Sequence, residues 1–353
     1  MRVDGGRLVR RYSRVSHADA RRSWTEREGV VLELRSGGLS GFGEASPLPG
    51  YSRDDLATCL AELEGCWQRL GAFEMDAPIR ETFRDAVART AARAPAVVFA
   101  LETALLDLTS KALKRPAWAV LRGDDRAEAI PLSAIAEGGT PEQLADAAAR
   151  ACGRGIRVVK IKVGGADSRA RDEQRLAAVR ARVGEAVALR LDANQTLPAE
   201  GLEDALAALA AFGPELIEEP APPEAALALR ESPIPLAMDE SLMLEGWQQR
   251  LRAAAQRGTY AAVVLKPMSL GGFDRCLAVA EAARASRLAV IVTHVFDGPI
   301  GSAAAACLAL AVQGDVMACG LDAHGRLEQA VAAIGETHIR PFAADGLGVE
   351  GLT

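Results

Sequence analysis

The feature that most constrains this chain is a series of short apolar segments that each end in charge. Lys160 and Lys162 stand two apart in Val158-Val159-Lys160-Ile161-Lys162-Val163. Three carboxylate motifs follow at intervals of roughly 20–30 residues, the repeat of a βα unit. They are Leu189-Arg190-Leu191-Asp192-Ala193-Asn194, Leu216-Ile217-Glu218-Glu219-Pro220 and Met238-Asp239-Glu240-Ser241, and Val263-Val264-Leu265-Lys266-Pro267 closes the series. Residues two apart on a strand share a face. Lys160 and Lys162 are therefore expected to look into one cavity, as are Arg190, Asp192 and Asn194. Charges at the ends of buried strands are costly unless they converge on a metal and a substrate.

The pattern changes near residue 125. Before it, Leu8 to Val15 and Gly29 to Arg35 read as strands with a polar loop over 16–28 between them, and apolar spacing predicts helices over 53–70, 77–94 and 95–113. After it, strands are expected at about 130–136, 157–163, 187–192, 215–219, 235–239, 261–266, 288–293 and 316–321. Seven alanine-rich helices fall between them, at about 141–153, 168–182, 199–211, 223–230, 245–256, 273–285 and 300–312. This is the α/β pattern of a (β/α)7β-type TIM barrel over residues 126–324, preceded by an α+β module over 1–125 that residues 325–353 return to complete. An open doubly wound sheet has no use for charges ending so many successive strands.

A chain of 353 residues with 49% hydrophobic and 25% charged residues accommodates two domains and a large core. Its formal net charge of −6 gives no reason to expect nucleic acid or a membrane as partner; a small-molecule carboxylate is compatible with it. The six cysteines lack CxxC spacing and read as reduced and buried, as in a cytoplasmic protein. The N-terminus has no apolar leader pattern, and no stretch approaches a membrane span.

Each of Asp192, Glu218 and Asp239 taken alone reads equally well as a helix N-cap. On three consecutive strand ends they suit a hard divalent cation, Mg²⁺ with Mn²⁺ as substitute. Glu219 and Glu240 alternate to the other face and are expected to support the ligands by hydrogen bonds. Mg²⁺ on a substrate carboxylate would stabilise the enediolate formed when the neighbouring carbon loses its proton. Lys162 is then the candidate base, Lys160 the neighbour that lowers its pKa, and Lys266 either a second acid/base or a cation over a π-system.

These motifs resemble the enolase superfamily, in its muconate-lactonizing-enzyme-like subgroup, whose Mg²⁺ and lysine chemistry is a known pattern. The resemblance implies that the first module is a capping domain. It also implies that Asp192, Glu218 and Asp239 are Mg²⁺ ligands and that Lys162 and Lys266 flank the substrate. Val264-Leu265-Lys266-Pro267-Met268-Ser269-Leu270-Gly271-Gly272, the Asp192 motif and Gly320-Leu321-Asp322 further resemble the o-succinylbenzoate synthases. That likeness implies dehydration of a hydroxylated succinyl-cyclohexadiene carboxylate in menaquinone biosynthesis. The alternatives are a racemase of N-acylamino acids, an epimerase of dipeptides and a barrel that only binds a ligand. Dipeptide epimerases resemble one another in an Asp-x-Asp pattern after the last strand, where this chain supplies one acid.

After the seventh strand the chain departs from its relatives, with Thr293-His294-Val295-Phe296-Asp297-Gly298-Pro299-Ile300-Gly301 in place of a Glu-Ser pair. Thr293, Asp297 and the helix-start residues Gly298 and Ile300 are candidate substrate contacts, the last two through backbone amides. His294 reads either as a substrate contact or as a packed loop residue. Loops over 17–26 and 46–53 are expected to close over the barrel mouth, with Arg21, Arg22 and Arg53 as candidates for a second substrate carboxylate. Glu44 reads as structural.

Overall fold

The computed structural model describes residues 1–18, 23–72, 77–165, 168–322 and 331–349. The N-terminal module opens on an antiparallel sheet, β1 (Gly5–Ala18), β2 (Ser23–Ser36) and β3 (Leu39–Ala45), in that order. The expected loop over 16–28 is mostly strand: pairing continues through Tyr12–Glu28 and Arg14–Glu26 and, past an irregularity, His17–Trp24. Ladder hydrogen bonds join backbone groups and need no apolar alternation, so the polar composition carries no sign of this pairing. Arg21 and Arg22 lie outside the described residues.

Five helices follow: α1 (Leu56–Leu63), α2 (Cys66–Leu70), α3 (Ile79–Thr90), α4 (Pro95–Leu113) and α5 (Ala117–Arg122). The single helix expected over 53–70 starts late, behind an Asp55 cap that accepts from the Thr58 amide, and breaks where Glu64 leaves helical geometry. Helix α4 lies against β3 so closely that a Cβ on Gly43 would sit 1.9 Å from the Ala100 carbonyl oxygen. Only glycine permits that approach.

The barrel runs β4 (Ile130–Pro131), β5 (Ala134–Ala136), α6 (Pro141–Gly153), β6 (Val158–Lys162), α7 (Arg169–Val183), β7 (Ala188–Asp192), α8 (Leu202–Ala210) and β8 (Pro214–Glu218). It continues with α9 (Pro223–Ala228), β9 (Leu236–Met238), a 3₁₀ turn (Glu240–Met243), α10 (Trp247–Arg257), β10 (Tyr260–Leu265), α11 (Pro267–Leu270), α12 (Phe273–Ala285), β11 (Ala289–Val292) and α13 (Pro299–Ala311). Strands β5 to β11 form one parallel sheet in sequence order. The first expected strand is split, because β4 pairs instead with β12 (His338–Ile339).

The expected eighth strand over 316–321 is no regular strand, yet it closes the ring. On one side Met317 and Gly320 donate to the Val290 and Val292 carbonyls, both at 2.9 Å. On the other, Cys319 donates to Pro131 and Ser133 donates back to Cys319, both at 2.8 Å. Between them the Ala318 carbonyl accepts from the Arg190 guanidinium at 2.6 Å, a side chain standing where a ladder partner would.

The two faces of each strand separate core from site. On β6 and β7, Val159, Ile161, Leu189 and Leu191 pack outward against Leu176, Val179 and Leu206 of the helices. Leu216, Ala237, Ala262, Val264 and Ile291 form a small separate cluster of their own. Period-two alternation therefore leaves Lys160, Lys162 and Asp192 on the face away from the helices. The cap docks through carboxylates on helix starts: Glu102 of α4 accepts from the Phe273 and Asp274 amides of α12, and Glu44 of β3 accepts from Gly298 (2.7 Å) and Gly301 (3.0 Å) of α13. The tail returns to the first module, where Trp118 Nε1 donates to Phe342 O and Asp107 accepts from the Leu347 amide. All six cysteines are free thiols, and no helix among the described residues is long and apolar enough to cross a membrane.

Candidate active site

Parallel register brings Lys162, Asp192 and Glu218 onto one rung at the C-terminal ends of β6, β7 and β8. Asp239 and Lys266 lie one residue beyond β9 and β10. Asp192, Glu218 and Asp239 are each 3% exposed or less, so their charges must be met inside the protein. Lys160 Nζ does this for two of them, at 3.0 Å from Asp192 and 2.9 Å from Glu218. Lys266 Nζ pairs with Asp239 and donates to the Tyr51 hydroxyl at 2.6 Å. Lys162 Nζ lies 3.4 Å from Asn194 Oδ1, and the Asn194 amide donates to Glu240 at 2.9 Å. These side chains meet at a cavity lined by Lys160, Lys162, Asp192, Asn194, Lys266 and, from the cap, Tyr51.

Glu219 sits behind this rung. Its backbone is left-handed (φ +38), an unusual state for a side chain of this size. Hydrogen bonds hold it there: one carboxylate oxygen accepts from the Asp239 amide (2.8 Å) and from the amide and hydroxyl of Ser241, the other from Gln195 Nε2 (3.1 Å). Glu219 thereby fixes the turn that carries Asp239 and Glu240.

Several expected contacts lie elsewhere. Arg190 is 1% exposed but does not line the cavity; it spans the barrel between Glu215 (2.6 Å) and the Ala318 carbonyl. The face rule places it two residues, and so one layer, below Asp192. Thr293 and His294 do line the cavity, with the Thr293 hydroxyl donating to Gly320 O at 2.9 Å and His294 Nδ1 accepting from the Phe296 amide at 2.9 Å. The amides at the start of α13 receive the Glu44 carboxylate, not a cavity ligand, and Ile300 is fully buried. Arg53 donates to the Met243 carbonyl at 2.6 Å.

Asp297 is buried beside Glu44 and the Arg27 guanidinium, and one of its carboxylate oxygens has no hydrogen-bond partner. Burial and the Glu44 charge outweigh Arg27 and push its carboxyl up to about 7. A raised native pKa means the folded state holds the proton longer than the unfolded chain. This contribution is fully present below the ordinary carboxylate range and is lost as pH rises through about 7. Asp297→Asn is therefore expected to flatten the fall in Tm between about pH 4 and pH 7, measured by calorimetry across that range. An unchanged pH profile would show that Asp297 is not the group responsible.

Comparison with known proteins adds family to geometry. Residues 143–351 match the family model described as enolase C-terminal domain-like, and residues 19–108 match that of the MenC N-terminal domain. The chain belongs to the enolase superfamily. Among its relatives, the L-Ala-D/L-Glu epimerase of Escherichia coli is 31% identical over 77% of this chain and 79% of its own. The o-succinylbenzoate synthase of Desulfotalea psychrophila is 29% identical over 80% and 83%. The crystal structure of a dipeptide epimerase from Enterococcus faecalis with Mg and L-Leu-L-Tyr superposes with a TM-score of 0.86 over 99% of both chains at 23% identity.

Enolase-superfamily enzymes bind Mg²⁺, and the acids of this chain fit such an ion by chemistry and by charge. Four buried or half-buried carboxylates, Asp192, Glu218, Asp239 and Glu240, stand among three lysines, with Glu219 behind them. Burial, with crowding by Glu240, Glu218 and Asp192, pushes Asp239 up to about 8 despite Lys266. Burial and neighbouring acids push Glu240 up to about 7, and its Oε2 is buried without a hydrogen bond. An oxygen-rich set with surplus negative charge and an orphaned carboxylate oxygen suits a hard divalent cation. Among the described residues, no three acidic, imidazole or thiol side chains stand at ligand spacing. Lys160 and Lys266 hold the acids in ion pairs instead. Burial disfavours both ammoniums, but Asp192 and Glu218 around Lys160, and Asp239 and Glu240 around Lys266, outweigh it and raise both above the ordinary lysine value.

Sequence reasoning placed Tyr51 only within a loop, although Leu48 and Tyr51 reach the cavity from it. Ile135, Val295 and Phe296 complete the wall. Their one sequence signal was position at a strand end or in a loop at the barrel mouth.

Proposed function

We propose that this enolase-superfamily protein dehydrates 2-succinyl-6-hydroxy-2,4-cyclohexadiene-1-carboxylate to o-succinylbenzoate. The observation that sets this reading apart from dipeptide epimerisation is the packing at Gly320. A Cβ there would lie 2.7 Å from Thr293 Oγ1, so the position accepts no side chain without moving Thr293. The remaining acid of the segment, Asp322, is paired with Arg154 at 2.5 Å. The Asp-x-Asp pattern that dipeptide epimerases share after the last strand is thus reduced to one acid, already paired with an arginine. The MenC-type N-terminal segment and the synthase among the relatives support the same reading.

Asp192, Glu218 and Asp239 would hold a divalent cation, which supplies positive charge to the substrate carboxylate as the adjacent carbon becomes anionic. Lys162 takes the proton from that carbon. The electron pair becomes a ring double bond as the C–O bond to the hydroxyl breaks, and Lys162 returns its proton to the departing oxygen, so water leaves and the ring is aromatic. Lys266 stands as a cation at the cavity and need not transfer a proton. One observation favours a second reading, racemisation of N-acylamino acids: Lys162 and Lys266 both line the cavity, as two-faced proton transfer requires. Assaying both reactions with purified protein separates the two. Formation of o-succinylbenzoate with the higher kcat/KM is expected, and negligible dehydration beside efficient racemisation would replace the reading.

A further inference from the structure

We propose that Tyr51 is a positioning residue through which the capping loop fixes the Lys266 ammonium in the cavity. The proposal rests on the reading of Lys266 as the cavity's cation. Lysine carries a point charge on a flexible stem, so its place depends on what holds the Nζ. Two groups do. One is Asp239, which is also among the acids proposed to bind the cation and so has a second claim on it. The other is Tyr51, whose hydroxyl accepts from Nζ at 2.6 Å, with Nζ 4.7 Å from the ring centroid and so beyond the hydroxyl at the ring edge. A phenol both accepts and donates, and this one points its own proton toward Asp239 Oδ1 at 3.4 Å.

The loop presenting Tyr51 is built to hold it still. Tyr51 and Ser52 amides both donate to the Leu48 carbonyl, at 3.0 and 2.9 Å, and Ser52 Oγ accepts from the Leu48 amide at 2.8 Å. The loop is tied at three points outside this turn. Arg27, buried in β2, donates to the Ser46 and Pro47 carbonyls and also to those of Val295 (3.1 Å) and Phe296 (3.4 Å) on the barrel side. The Ser46 amide meets Met268 Sδ at 3.2 Å, two residues from Lys266, and Arg53 donates to Met243 O at 2.6 Å. Seating the cap therefore places the phenol, and the phenol places Lys266.

A double-mutant cycle tests this. Tyr51→Phe keeps the ring that packs in the loop and removes the hydroxyl; Tyr51→Leu removes both. We expect Tyr51→Phe to lower kcat/KM for dehydration about tenfold, the loss of one hydrogen bond to a charged group, with Tm unchanged. In a Lys266→Gln background, Tyr51→Phe should change kcat/KM and the calorimetric affinity for o-succinylbenzoate less than twofold, because a residue acting through Lys266 has nothing left to act on. Wild-type activity in Tyr51→Phe, or the same loss in both backgrounds, overturns the proposal. If the wild-type protein does not dehydrate at all, the cycle is read on α-proton exchange of an N-succinylamino acid in heavy water. The synthase reading then fails while the Tyr51–Lys266 coupling is still measured.

Discussion

Lys162→Ala is expected to lower kcat/KM for dehydration by about 10²–10⁴-fold, the range for loss of a general acid/base, with folding intact. Lys162 is the lysine of β6 that shares a rung with Asp192 and contacts Asn194. Lys160, two residues back, is instead tied to Asp192 and Glu218. Lys266→Arg should retain part of the activity, because a cation remains at that wall and no proton passes through it. The check is single-turnover kinetics together with exchange of the substrate's α-proton in heavy water. Exchange that survives in Lys162→Ala would move the base elsewhere.

Chelation is expected to abolish turnover, and Mg²⁺ or Mn²⁺ to restore it. Asp192→Asn, Glu218→Gln and Asp239→Asn should each weaken Mg²⁺ binding in titration calorimetry by more than about 100-fold, beyond the 10–100-fold typical for groups that only support a ligand. Glu219→Gln belongs in that milder class, since it holds the Asp239 turn from behind. The fold should respond as well. Asp239→Asn leaves the buried Lys266 ammonium without its paired carboxylate, so the metal-free variant should melt below the wild type at neutral pH. Full activity in the presence of chelator would contradict the cation assignment.

The barrel was legible because its strands carry two messages at once. Val159 and Ile161 alternate with Lys160 and Lys162, so one period-two pattern reports the helix-facing core and the charged interior together. What the sequence hid depended on partners distant along the chain. Residues 16–18 and 23–28 are strand only because the two segments pair with each other, and Gly320 closes the ring through backbone hydrogen bonds that leave no apolar signature. The same holds in the site. Arg190 shares a face with Asp192, but Glu215 and Ala318 claim its guanidinium. The α13 amides suit a substrate carboxylate by local chemistry, but Glu44, more than 250 residues earlier in the chain, reaches them first. Tyr51 was visible as a loop residue and not as the partner of Lys266, because only the folded chain brings them within 2.6 Å.

One comparison decides the reaction: the ratio of kcat/KM for the hydroxylated succinyl-cyclohexadiene carboxylate to kcat/KM for N-succinylamino acids, both measured with Mg²⁺ in heavy water. Dehydration should dominate, and N-succinylamino acids should stay largely unlabelled at the α-carbon. Both reactions begin with removal of a proton beside a carboxylate, so some labelling from the Lys162 face is compatible with this outcome. Efficient racemisation with labelling from both faces, and dehydration at or below background, would overturn the synthase reading while leaving the fold and the family in place.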